Sequence, residues 1–246
     1  MKIGIQTIAW EDHPSAGSLN KLLPEMTREI REAGYDGIEL FQPAVGKTHM
    51  HFLQEQLEKN SLELVGVSAG SFEDRLNFVR AYRPFAGPKQ TPYIYTDEWP
   101  DDLARQAVSE GFRIAVHPHM FKPIQTVAEA LPHLAEFGND PAKVGLLPDS
   151  AHQQIAGEPF LDVLEKHYDK LTAIHLKDWT PEYGRSYQFY AQGFVALGEG
   201  DVPLTKIIEY LRSRKYSGWA IVEVDVMENP FDIARKCRDW LRTQGV

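Results

Sequence analysis

The sequence predicts an α/β fold, a single-domain (β/α)8 TIM barrel. Three observations lead there. Short apolar runs alternate with amphipathic helical stretches along the whole chain, giving eight strand–helix units. The 246 residues hold no Pro/Gly/Ser-rich linker, low-complexity tract or charge block at which two domains would part. The strand-like runs also end in polar residues, and the C-terminal ends of the strands form the active face of such a barrel. The rival architecture is an open doubly wound sheet. Its dinucleotide-binding form is disfavoured because no Gly-x-Gly-x-x-Gly follows a strand.

Each element has a local reason. Residues 2–7 read as the first strand and 20–33 as a helix closed by Gly34, with Pro24 tolerable only in a first turn. Residues 37–41 and 62–68 are strands, and 48–59 and 72–82 are helices. The stretch 83–90 is rich in Pro and Gly and reads as loop. A short strand over 91–96 and a helix over 97–110, closed by Gly111, come next. Residues 112–120, FRIAVHPHM, form a buried fifth strand whose ladder should end at Pro118, which has no N–H. A helix over 126–137 carries Pro132, an expected kink or break. The sixth and seventh strands are 143–147 and 171–176, around a Pro-led helix over 159–171. A Pro-led helix over 203–215, a strand over 219–224 and a helix over 230–242 with Asn229 as N-cap complete the count.

Composition narrows the function classes. A formal net charge of −9 opposes adhesion to nucleic acid or to an anionic membrane. No apolar run is long enough to cross a bilayer. The single cysteine, Cys237, cannot form an internal disulfide, and the opening MKIGIQTIAW lacks a signal-peptide layout. A cytoplasmic setting is therefore expected.

The strand tips carry the chemistry. Strand one offers Gln6 and Trp10, and strand two Glu39. Strand five offers His117 and His119, which share a side if the extended geometry persists through Pro118. Strand six offers Asp149 and His152, strand seven His175, Lys177 and Asp178, and strand eight Glu223 and Asp225. His117, Asp149, His175 and Glu223 make a set of two imidazoles and two carboxylates. Such a mixed set suits one divalent ion of the Mn²⁺, Co²⁺, Fe²⁺ or Zn²⁺ kind better than Mg²⁺ or Ca²⁺. Any one of the four has a bland explanation as a helix cap, an ion-pair partner or a satisfied core histidine; four on successive strands do not. His119 is the natural base near neutral pH. Lys177 is placed to act as an acid or oxyanion donor, or equally to pair with Asp178 or Glu223. His152 is placed to bind a substrate hydroxyl or to orient Asp149.

The segments IGIQTIAW, AGYDGIELF, FRIAVHPHM, VGLLPDSAH, AIHLKDW, GFVALGEGDVPL and GWAIVEVD together resemble the xylose isomerase-like barrels of sugar phosphate isomerases and epimerases. His-x-His-Met points within them to the inosose dehydratase branch. The resemblance implies one divalent metal, often Mn²⁺ or Co²⁺, with Asp149, His175 and Glu223 at three usual ligand positions. His117 stands where the isomerases and epimerases usually carry Glu, and His119 matches a histidine that serves as base in related dehydratases. With one carboxylate of the epimerases' pair replaced, returning a proton to the opposite face becomes harder, whereas elimination needs one base and an acid for the leaving hydroxyl. The expectation is a hydro-lyase acting on a keto-polyol or keto-sugar such as 2-keto-myo-inositol. His119, Lys177 and Glu223 would be catalytic, and Trp10, Glu39, His152 and Trp179 would line the sugar site. Relatives are often homo-oligomers. Two departures stand out: 71–98 is short and irregular for the family, which bears on the substrate, and Pro148 immediately precedes Asp149. The alternatives are a keto-sugar isomerase or epimerase on the same site and a non-catalytic sugar-binding barrel. A nucleic-acid enzyme is disfavoured by the charge and by the extra ligands a three-metal site needs.

Overall fold

Alternation along the strands shapes this molecule. A computed structural model describes residues 1–12, 18–42, 49–86, 91–182, 190–225 and 229–246. Eight parallel strands form one sheet: β1 (Lys2–Gln6), β2 (Gly37–Leu40), β3 (Glu63–Val67), β4 (Tyr93–Thr96), β5 (Ile114–Val116), β6 (Val144–Leu146), β7 (Ala173–Leu176) and β10 (Trp219–Val222). The order is β6-β5-β4-β3-β2-β1-β10-β7. β6 and β7 meet through the bridges Leu146–Leu171 and Asp149–His175, which bring the sheet round into a nearly closed barrel. At this seam the His175 N–H donates to the Pro148 carbonyl at 2.9 Å. The expected Pro148 thus sits where only its carbonyl is needed, and its missing N–H breaks no bond of the seam.

Side chains of period two sort into two cores. Ile3, Ile5, Ile38, Ile94, Ile114, Val116, Val144, Leu146, Ile174, Leu176, Ala220 and Val222 belong to the core between barrel and helices. Val65, Tyr93, Tyr95, Ala115, Leu147, Ala173 and Ile221 form a second, smaller core inside the barrel. Helices α2 (Leu19–Ala33), α3 (Met50–Lys59), α4 (Phe72–Tyr82), α5 (Asp101–Ser109), α6 (Val127–Glu136), α8 (Phe160–His167), α9 (Leu204–Ser213) and α10 (Pro230–Thr243) surround the sheet, and α1 (Ile8–Glu11) is a single turn after β1. None of the described helices is long and apolar enough to cross a membrane.

Four features depart from expectation. Pro24 and Pro132 lie inside α2 and α6, past the first turn, and neither helix breaks. Each proline faces solvent and removes one backbone bond, while the buried stripe of each helix stays intact. The third is a helix α7 (Ser150–Ala156) directly after Asp149, and the fourth a small antiparallel pair, β8 (Asp178–Trp179) with β9 (Phe194–Val195). Both are too short to show a periodic signature. The end of the expected 83–90 loop and the expected helix start at Thr48 lie outside the described residues.

Candidate active site

Inward alternation places Gln6, Glu39, Tyr95, His117, Asp149, His175 and Glu223 at the same end of the barrel, each at or just past the C-terminal tip of its strand. Of these, His117, Asp149, His175 and Glu223 are all buried and offer ligand atoms within 4.8 Å of one another. That spread is on the scale of a shell of ligands bonded at about 2.0–2.2 Å to one ion.

Each of these candidate ligands is held by its other atom. Asp149 is the N-cap of α7: Oδ1 accepts the backbone N–H groups of Ala151 at 2.7 Å and His152 at 2.8 Å, leaving Oδ2 without a partner. A helix cap and a metal ligand, weighed as alternatives in the sequence, are here one carboxylate used at both oxygens. His175 Nε2 lies 3.0 Å from Glu39 Oε2. A carboxylate accepts, so Nε2 carries a hydrogen, and Nδ1 faces the cluster 2.5 Å from Glu223 Oε2 and 4.0 Å from Asp149 Oδ2, where it takes a proton or offers its lone pair to a cation. His117 Nδ1 lies 3.1 Å from the Tyr95 hydroxyl, and its Nε2 is buried with no partner. The Tyr95 hydroxyl has Asp97 Oδ2 as an acceptor at 3.4 Å. It therefore accepts from His117 Nδ1–H, and Nε2 is free to ligate.

Unpartnered buried acceptors are costly, and a cation satisfies several at once. Here His117 Nε2 and Asp149 Oδ2 lack partners, and the two carboxylates face each other through His175. Without an ion, His175 carries that charge. Burial works against its protonation, but Glu39 and Glu223 outweigh burial and raise its pKa to about 10. Burial lifts Asp149 to about 7. Glu223 is held well below the ordinary carboxylate range, because Lys177 and His175 override its burial. The donor set thus fits a divalent ion.

Lys177 is 1% exposed. Its Nζ donates to Glu223 Oε1 at 2.7 Å and to Asp225 Oδ2 at 2.5 Å, and stands 4.0 Å from the centroid of the Phe194 ring. Burial would lower its pKa, yet Asp225 and Glu223 raise it, so the ammonium is firmly charged. Its three N–H directions are engaged. It fixes Glu223 and is poorly placed to be the proton donor expected of it. Its partner is not Asp178, whose carboxylate accepts the N–H groups of Trp179, Gly198, Gly200 and Val202.

Above the cluster opens a cavity of about 410 Å³, lined among others by Gln6, Arg75, Tyr95, His119, Glu223 and Asp225. His119 Nδ1 lies 2.7 Å from the Met120 carbonyl, which can only accept, so Nδ1 bears the hydrogen and Nε2 the lone pair. Burial, followed by the nearby Lys177 charge, lowers its pKa and keeps the imidazole neutral. The rings of His117 and His119 are 5.6 Å apart across Pro118.

The expected sugar-site residues do not line this cavity. Trp10 is buried in the outer core and its indole N–H donates to Glu29 at 2.7 Å. Glu39 is fully buried: Oε1 accepts from Gln6 Nε2 at 2.7 Å, and Oε2 from His175 and the Tyr93 hydroxyl. It stands behind His175, away from the cavity. His152 is buried with its ring 3.8 Å from that of His119, which it backs. Trp179 packs half-buried against the outer core. Tyr93, Tyr95 and Arg75 join the site without being among the residues expected from the sequence. The first two were legible as the inward-facing pair of the YIYT strand, and Arg75 as a cation three residues after Phe72 on the apolar stripe of α4.

Comparison with known proteins gives the same picture. The family described as xylose isomerase-like TIM barrel matches residues 101–244. An inosose dehydratase of Geobacillus thermodenitrificans is 28% identical, the match covering 98% of this chain and 96% of the relative. An inosose dehydratase of Bacillus licheniformis is 26% identical, with 97% and 94% covered. Among solved structures, a 3-keto-D-glucoside 4-epimerase from E. coli superposes with a TM-score of 0.71 at 21% identity, covering 99% of both chains. That last likeness is one of fold. The family match extends over more than half of the chain, and the strand tips gather four residues that could hold a metal into one cluster: this chain belongs to the xylose isomerase-like TIM barrel family and is an enzyme of it.

Proposed function

We propose that the protein is a metal-dependent hydro-lyase that removes water from a keto-polyol or keto-sugar, with 2-keto-myo-inositol as the reference substrate. The supporting observation is the arrangement at the tip of β5, where His117 joins the ligand set while His119 keeps an unligated Nε2 on the cavity wall. The inosose dehydratase relatives support the same reaction class.

His117 Nε2, Asp149 Oδ2, His175 Nδ1 and Glu223 Oε2 would hold the ion, Mn²⁺ or Co²⁺. The ion supplies the positive charge that polarises a ketone and lowers the barrier to forming the adjacent carbanion. His119 Nε2 takes the proton alpha to the ketone. As the C–C double bond forms and the beta C–O bond breaks, the imidazolium returns that proton to the departing hydroxyl, and water leaves with His119 neutral again. One residue serves as base and acid, which requires both groups on one face of the substrate. Lys177 keeps Glu223 oriented and charged, and His152 holds the His119 ring from behind.

Incubating the manganese-loaded protein with 2-keto-myo-inositol in D₂O tests the reading. Growth of enone absorbance supports it. Recovered ketone carrying solvent deuterium or inverted configuration, with no enone, overturns it in favour of a keto-sugar isomerase or epimerase.

A further inference from the structure

Arg75 is out of place for a helix residue of this fold. It follows the capping box of α4 formed by Ser71 and Asp74, and it is only 2% exposed. Its Nη1 donates to the Ser68 carbonyl at 2.6 Å and the Gly70 carbonyl at 2.9 Å. Its Nε and Nη2 are buried with no hydrogen-bond partner, and it pairs with no carboxylate among the described residues. The guanidinium carbon lies 5.6 Å from the centroid of Tyr95 and 6.0 Å from that of Phe72. Asp97, Glu98 and Asp74 attract the guanidinium at a distance, but burial outweighs them and none accepts a hydrogen bond from it; the two carbonyl bonds engage only one of its three nitrogens. Asp97 and Glu98 share the cavity wall but do not pair with it, and Lys122 stands 3.6 Å from Asp97.

Nε and Nη2 form the side-on fork of the guanidinium, the edge whose two parallel N–H groups match two oxygens of a planar anion. Arg75 lines the cavity that also holds His119 and Glu223, and Tyr95 spans from its guanidinium to His117. We infer that Arg75 is a carboxylate anchor, and that the natural substrate is a keto-polyol carrying a carboxylate group, not a neutral inosose. The inference rests on the cavity being the substrate site of the proposed hydro-lyase.

The test is equilibrium binding, which does not depend on turnover. Calorimetry on the manganese-loaded protein compares quinate, a polyhydroxy ring with a carboxylate, with methyl quinate, the same ring with the charge removed. Wild type should bind quinate about tenfold tighter or more, the ratio expected of a charge-assisted pair. Arg75→Gln should abolish that preference while leaving the ester's affinity little changed. Arg75→Lys, which keeps the charge and loses the fork, should retain only part of it. Equal binding of acid and ester by wild type, or absence of quinate binding, overturns the proposal. So does a preference that survives in Arg75→Gln, since the carboxylate then goes to the ion. If Arg75→Gln does not fold, wild type and Arg75→Lys decide. Failure to dehydrate 2-keto-myo-inositol leaves this result standing, and loss of the carboxylate preference leaves the elimination chemistry standing.

Discussion

At the scale of the residue, the site is a set of bifunctional side chains. Asp149 caps a helix with one oxygen and faces the cluster with the other. His175 and His117 each use one nitrogen to fix the tautomer that frees the other. Glu39 is the clearest consequence. It was expected against the sugar, yet among the described residues its carboxylate meets Gln6, Tyr93 and His175, so Glu39→Gln should act through the metal. We expect about 10- to 100-fold weaker metal binding, the usual effect of losing such a partner, with the circular dichroism spectrum unchanged. Competition with a chelating dye measures it. His119 lies outside the group of four residues that could hold a metal ion. His119→Ala should keep full metal content by elemental analysis and lose about 10²–10⁴-fold in turnover. Loss of metal in that variant would instead make His119 a ligand.

At the scale of the element, caps and turns hold the strand tips in register. Asp178 follows β7 and gathers the N–H groups of Trp179, Gly198, Gly200 and Val202 at 2.8–3.2 Å. Its replacement by Ala leaves four donors without their acceptor and should destabilise by about 3 kcal/mol or more, read from urea unfolding. Helix α6 carries a pH-dependent contact. His133 stacks on Trp99 with ring centroids 4.5 Å apart, and burial lowers its pKa below the ordinary 6.5. The unfolded chain then binds more protons than the folded one near that value, so stability rises with pH through the window and falls on acidification. Melting temperature measured from pH 7.5 to 5 should fall less in His133→Phe than in wild type. The same element scale shows the limits of the residue pattern: Pro132 promises a break that a well-buried helix face overrides.

At the scale of the whole molecule, the barrel interior is narrow enough that small residues on one strand make room for large ones on the next. A Cβ added to Gly66 would come within 2.2 Å of the Tyr93 ring, and the Tyr93 hydroxyl donates to Glu39. Gly66→Ala should therefore push Tyr93 off Glu39 and weaken metal binding from a residue with no polar side chain, measurable in the same dye competition. The ion should also be part of the fold's stability, since it binds an arrangement that eight strands assemble. At a free metal concentration of about 100 times Kd it adds about 2.7 kcal/mol. For a chain of this length that corresponds to about 5–10 °C in melting temperature, lost when a chelator is added in a thermal melt.

The sequence by itself determined the eight strand–helix units and the polar residues at their C-terminal tips, and hence that His117, Asp149, His175 and Glu223 share one end of one barrel. Those properties are local: the covalent geometry of an extended chain sends alternate side chains to opposite faces, so a short apolar run and its last polar residue fix which way that residue points. Only the tertiary structure decided which polar neighbours stand behind the ligands and which stand before them. Glu39 meets His175 across 136 residues, Lys177 meets Asp225 rather than Asp178, and Arg75 lies beside Tyr95 bonded to two carbonyls, with no ion pair among the described residues. These contacts depend on how far the barrel tilts and closes and on the volumes of side chains from distant strands, and no stretch of sequence carries that information alone.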